Sequence, residues 1–197
     1  MKRRKQEKLK RTLITHKFGD LVFKLRGGIW AILFLIIFLM AKPTWKSFLF
    51  GVIFVITGQL LRFWAAGCIG IYRGESVGAN KLITTGAYAL LRNPLYFANG
   101  LIGAGWGIMA GWNALLFFVI AFLTIYALII IPREESFLRK KFGVEYAHYC
   151  RITGMFYPKT FPANIRSKNY DFQVLWKSER HSLWMTILGT ALLAVKI

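Results

Sequence analysis

A chain of 197 residues has room for one domain of ordinary size. Its apolar share of 56%, with 17 Phe and 7 Trp, is more than a water-facing globule carries, and it excludes an ordinary soluble protein. A net charge of +19 would suit nucleic acid, but the cations cluster at 2–26, 72–92 and 133–180, beside the apolar runs. That distribution points to cytoplasmic loops facing anionic membrane lipids and argues against a nucleic-acid partner.

In chain order, residues 1–26 form a basic cytoplasmic arm, and the apolar run behind it reads as a retained signal anchor. The first crossing is expected over Gly27–Ala41 and ends at Lys42-Pro43; the second spans Lys46–Ile71. A cytoplasmic loop at 72–94 carries Arg73 and Glu75. The third crossing, Leu95–Ala110, turns at Gly111 into the fourth, Trp112–Ile131, whose roughly 20 residues match the thickness of a bilayer. Four crossings thus fill 27–131. An amphipathic segment follows at 132–160, then a polar linker and a last apolar run, Leu183–Ile197, within 161–197. That run is short, either an interfacial helix or a fifth crossing, and is read here as a crossing. The expected fold is an all-α integral membrane protein with about five transmembrane helices and a small cytoplasmic C-terminal helical region. Cytoplasmic basic segments orient it, so all the candidate chemistry faces the cytoplasm. Cys68 and Cys150 form no Cys-x-x-Cys pair and imply neither a metal site nor a disulfide framework.

Four stretches carry candidate chemistry. Arg62 lies about nine residues from the cytoplasmic end of its expected helix, roughly 14 Å deep, where a charge either snorkels or lines a site between helices. In the third crossing, Gly103, Gly107 and Gly111 repeat a small-x-x-x-small step, which favours close helix packing and also leaves bare backbone for a flat ligand. The segment "TTGAYALLRNPLYFANG" (84–100) places Arg92, Asn93 and Pro94 at the mouth of that crossing. Proline suits the first helical turn, and the free amides behind it attract an anion, with the Arg92 fork beside them. In "PREESFLRKKFGVEYAHYCRITGMFYPK" (132–159), Glu135, Leu138, Phe142, Tyr146 and Tyr149 recur at helical spacing on one face, unless Gly143 breaks the helix. Glu134 points elsewhere. A glutamate on that aromatic face needs a cationic partner, and Arg92 is on the same side of the membrane.

Together, "LITTGAYALLRNPLYFANGL" and "PREESFLRKKFGVEYAHYCRITGMFYP" resemble the isoprenylcysteine carboxyl methyltransferase family and the related phospholipid methyltransferases, over about Gly58–Lys159. The resemblance implies a membrane methyltransferase that uses S-adenosyl-L-methionine, with 132–160 as the catalytic segment. Tyr88, Arg92, Asn93, Pro94 and Tyr96 match the family's Arg-His-Pro-x-Tyr box, with Asn93 where many members have histidine. Glu134 and Glu135 match its glutamate pair, and Tyr146, Tyr149 and Arg151 the end of its second motif. Arg92, Glu135, Tyr149 and Arg151 are the catalytic candidates. Cofactor binding is expected from Tyr88, Arg92, Asn93, Pro94, Tyr96, Asn99, Gly103, Glu134, Glu135 and Tyr146. The implied acceptor is lipidic: a prenylcysteine-like carboxylate, a phospholipid amine or a thiol. A relative of the NADPH-dependent sterol reductases and a non-catalytic membrane scaffold are the competing readings. The implied location is the cytoplasmic membrane of a prokaryote or the endoplasmic reticulum of a eukaryote.

Overall fold

The structure, a computed structural model, describes residues 25–69, 81–159, 165 and 172–197. Expectations for the basic arm before residue 25, for 70–80 and for most of the linker at 160–171 lie outside them. The helices are α1 (Arg26–Met40), α2 (Trp45–Ile69), the short α3 (Ala87–Leu90), α4 (Pro94–Ala110), α5 (Trp112–Phe122), α6 (Ile131–Ile152) and α7 (Phe172–Ala194). No strand occurs among the described residues, and Leu91 and Gly154 form an isolated parallel bridge. Helix α2 and the continuous run Trp112–Ile152 are long and apolar enough to cross a membrane, and Gly27–Met40 is a shorter apolar helix. The outward faces carry large exposed apolar side chains such as Leu39, Leu49, Ile53, Leu116 and Leu128, as a lipid-facing surface requires.

Local chemistry sets the helix ends. Lys42-Pro43 stops α1, and a reciprocal cap starts α2: Ser47 N–H donates to Thr44 Oγ1 (3.2 Å) and Thr44 N–H to Ser47 Oγ (3.0 Å). Gly111, at φ 114°, makes the tight turn between α4 and α5, a conformation that L side chains rarely adopt. Between α5 and α6 the helix widens into a π-helical stretch, Leu123–Ile130. Pro132 follows directly. A proline has no N–H to give and crowds the carbonyl one turn back, and a wider turn ahead of it relieves that clash.

Bare backbone packs α2 on α4. A Cβ at Gly51 would come within 2.5 Å of the Gly105 carbonyl oxygen, and one at Gly58 within 2.8 Å of that of Ala98. Gly103 and Gly107 face the other way, toward α5. A Cβ at Gly103 would overlap the Phe118 ring, and one at Gly107 would lie 2.8 Å from Leu115 Cα. The glycine stripe of α4 is therefore a packing surface. Gly107→Leu is expected to push α5 away and lower the melting temperature in detergent by several degrees. An unchanged melting curve would contradict the close approach.

The C-terminal helix departs from the sequence reading. Instead of a run at Leu183–Ile197, α7 is a 23-residue helix that begins at Phe172. The polar residues that made its first half read as linker include Glu179, only 1% exposed and ion-paired to Arg62 across the bundle (2.6 Å). That partner allows the carboxylate inside. Hydrogen bonds fix the ends of the bundle: Lys42 N–H donates to Ala110 O (3.0 Å) and Lys196 Nζ to Phe38 O (2.6 Å). Both helical turns and the C-terminus thus share one end. Arg92, Asn93 and the end of α6 share the other.

Candidate functional site

Residues 91–93 link α3 to α4, with Leu91 extended, and dock on the segment that leaves α6. Arg92 N–H donates to Gly154 O (2.8 Å). Its side chain reaches the same segment, with Nη1 donating to the carbonyls of Thr153 (2.7 Å) and Cys150 (3.3 Å). Those oxygens lie at the negative end of α6, where a guanidinium is favoured. Glu135 Oε1 accepts from both Arg92 Nε (2.9 Å) and Asn93 Nδ2 (3.1 Å). One carboxylate oxygen thereby fixes both residues at the mouth of α4. Burial opposes the charge on Arg92, but the hydrogen bond and the charge of Glu135 outweigh it and hold its pKa above the ordinary value.

Gly143 breaks the regular path of α6 with φ 51° and ψ −117°. The bend preserves the aromatic face, since Tyr146 and Tyr149 are buried with Leu82 beside Leu138 and Phe142. Tyr149 Oη donates to Tyr88 O (2.6 Å), which ties the end of α6 to α3. Burial pushes both phenols, outside the apolar span, well above their ordinary range. At neutral pH both are hydroxyl donors, not bases.

The expected residues thus divide into groups. Arg92, Asn93 and Glu135 meet directly, with Tyr88, Tyr146 and Tyr149 beside them. Pro94 is buried in the first turn of α4; Asn93, at its N-cap, spends its side chain on Glu135 and not on a cap. Tyr96 turns toward the core and meets Tyr126 at a tilt of 51° (ring centroids 5.6 Å). Glu134 is half-buried beside Glu135. Three residues stand apart. Arg151 is exposed at the end of α6 and makes none of these bonds. Gly103 is covered by Phe118, which leaves no bare backbone there for a ligand. Asn99 accepts from Arg62 Nη1 and so belongs to the Arg62–Glu179 cluster, not to the Arg92 site. Arg62 accordingly lines a polar site between helices and does not snorkel. Sequence reasoning missed Glu179, Thr153 and Gly154. Only Glu179 left a signal, since it lies four residues before Leu183 on the face that the apolar run continues.

Two atoms of the Arg92–Glu135 pair stay uncommitted among the described residues: Arg92 Nη2 and Glu135 Oε2 make no hydrogen bond there. Both side chains are 12% exposed, within reach of a ligand. The pair offers a donor fork and an acceptor next to the N-terminal amides of α4, which suits a carboxylate and a diol.

A model of the phospholipid methyltransferase family matches residues 46–145, from the start of α2 to the middle of α6. The cobalt-zinc-cadmium resistance protein CzcN of Cupriavidus metallidurans is 32% identical over 121 residues, 59% of this chain and 52% of that protein. The chain thus spans about half the length of the curated relative it matches. No solved structure matches.

Proposed function

The chain belongs to the phospholipid methyltransferase family, a family of membrane methyltransferases, and from that premise we propose that it transfers a methyl group from S-adenosylmethionine to a lipidic acceptor at the cytoplasmic face. The observation that carries this reading is Glu135 Oε1 held between Arg92 and Asn93, with one atom of each charged partner left for a ligand. Arg92 Nη2 and the first free amides of α4 would hold the cofactor's carboxylate, and Glu135 Oε2 its ribose hydroxyls. Tyr88 would supply aromatic surface for its adenine. When bound, the cofactor supplies an electrophilic methyl group on a sulfonium.

The chain's own contribution is positioning and exclusion of water. A carboxylate or thiolate acceptor gives up no proton on methylation. An amine does, and because Tyr146 and Tyr149 stay protonated, Glu134 or Glu135 would receive it. Asn93 cannot, since an amide does not titrate. Asn93→His keeps an N–H for Glu135 and is compatible with the site.

Five crossings, α1, α2, α4, the run from Trp112 to Ile131, and α7, put the site on one side. The exposed Arg139, Lys140 and Lys141 would face anionic headgroups there. Reporter tags after Gly74 and after Lys159 are expected to be cytoplasmic together. Opposite faces would take the two halves of the site apart.

The full chain, purified and reconstituted into vesicles of mixed phospholipids, is expected to move tritium from methyl-labelled S-adenosylmethionine into the organic extract. Protein that neither binds the cofactor nor labels the extract would overturn the reading.

A further inference from the structure

Helix α6 does not run straight. Along a straight helix Glu135 and Cys150 would stand about 22 Å apart. Yet the guanidinium of Arg92 touches both, with Nε donating to Glu135 Oε1 (2.9 Å) and Nη1 to the Cys150 carbonyl (3.3 Å). The helix is therefore folded into an arch: an inner arm at 131–142, an apex at Gly143, and an outer arm at 144–152 that returns to Arg92. Gly143 makes the apex with φ 51° and ψ −117°, a backbone that L side chains rarely adopt. Space is not the reason for glycine there, since an added Cβ would meet nothing within 4 Å.

The two arms are anchored unequally. Ile131, at the foot of the inner arm, is fully buried in the main core. The outer arm places its buried Tyr146 and Tyr149 in a small separate cluster with Leu82, Leu138 and Phe142. Its other ties are hydrogen bonds. Tyr149 Oη donates to Tyr88 O, and Arg92 donates from Nη1 to the carbonyls of Cys150 and Thr153 and from its backbone to that of Gly154. Past the outer arm, the half-buried Phe156 meets Phe97 and Phe122 at ring centroids of 6.0 and 6.5 Å. Val144, beside the apex, is 87% exposed. A segment held by a satellite cluster and a few hydrogen bonds opens before a core does.

We infer that the outer arm of α6 is a lid over the Arg92–Glu135 pair, hinged at Gly143 and latched by Tyr149 on Tyr88, and that it opens to exchange the cofactor. This inference rests on the cofactor reading proposed above. The closed lid leaves each side chain of the pair only 12% exposed, whereas that reading has both engage one ligand. Arg92 couples lid and ligand. Its Nη1 holds the lid's carbonyls while its Nη2 is the donor left for a carboxylate, so a ligand that fixes the guanidinium also fixes the latch. A ligand that binds the closed form must slow opening.

Hydrogen exchange of the full chain in phospholipid vesicles, read by mass spectrometry with and without S-adenosylhomocysteine, tests the lid. The amides of 146–154 are expected to exchange together, ahead of those of the inner arm and of α4. S-adenosylhomocysteine at a hundred times its dissociation constant should slow them by roughly a hundredfold. Tyr149→Phe keeps the ring and loses one neutral hydrogen bond, so exchange of the outer arm and release of S-adenosylhomocysteine should both quicken by about fivefold. Gly143→Ala strains only the apex and should quicken both by about tenfold, with the protection of α4 unchanged. Two arms that exchange at one rate would overturn the lid, and bound S-adenosylhomocysteine would leave the cofactor reading in place. Binding that does not slow the outer arm would overturn the lid as well, as would wild-type release rates in both variants. A chain that binds no S-adenosylhomocysteine would remove the cofactor reading and the lid together.

Discussion

Alanine at position 154 is expected to lower affinity for S-adenosylmethionine by about a hundredfold while leaving the helical bundle intact. A Cβ at Gly154 would overlap the backbone carbonyl oxygen of Tyr157, and a backbone atom cannot step aside as a flexible side-chain tip can. The turn from 154 to 157 has to open. Gly154 O is the acceptor for Arg92 N–H, and the neighbouring Thr153 O accepts from Arg92 Nη1, so opening that turn releases Arg92 from two of its anchors. A site held to within half an ångström tolerates little such slack. The main core, built on Ile37, Trp106, Met109, Phe118 and Tyr126, lies elsewhere and should keep its melting behaviour. Calorimetric titration beside a melting curve checks both halves. Wild-type affinity in Gly154→Ala would mean that the docked turn does not shape the site.

Glu135→Gln is the second large effect, with an expected loss of about tenfold in cofactor affinity, equivalent to about 1.4 kcal/mol. Glutamine keeps the volume and one acceptor oxygen but exchanges a charged bond to Arg92 for a neutral one, about half as strong. Glu135→Ala should cost more, because it leaves a partly buried guanidinium facing Asn93 without its counter-charge. Arg92→Lys keeps the cation and loses the planar fork. The double variant Arg92→Lys/Glu135→Gln should lose less than the two single losses combined, since both residues serve one network. Full additivity in that cycle would separate the residues functionally.

Much of this site could be read before the fold, and the reason is local. Arg92, Asn93 and Pro94 are consecutive and open a helix. Glu135, Leu138, Phe142, Tyr146 and Tyr149 keep helical spacing, and the bend at Gly143 leaves that face in register. The need of Glu135 for a cation named Arg92 as its partner, and the structure brings the two to 2.9 Å. What stayed hidden depends on the meeting of distant segments. Thr153 and Gly154 act through backbone carbonyls, which no side-chain pattern marks. The packing role of Gly103 becomes visible only when the Phe118 ring is set against it. Glu179 read as linker because a carboxylate before an apolar run looks solvated until Arg62, on a helix 117 positions earlier, stands opposite it. Arg62 itself showed in the sequence as a deep charge in need of a partner. Asn99, expected at the cofactor, faces Arg62 inside the bundle, a meeting of two helices that the sequence does not mark.

The central claim is that Arg92, fixed by Glu135 at the mouth of α4, holds the amino-acid end of S-adenosylmethionine. Its most direct test is calorimetric titration of S-adenosylhomocysteine into the reconstituted full chain and into Arg92→Lys. The account predicts one site per chain in the wild type and an affinity at least tenfold weaker in Arg92→Lys. Equal affinities in the two proteins would contradict it and return Arg92 and Glu135 to a purely structural pair.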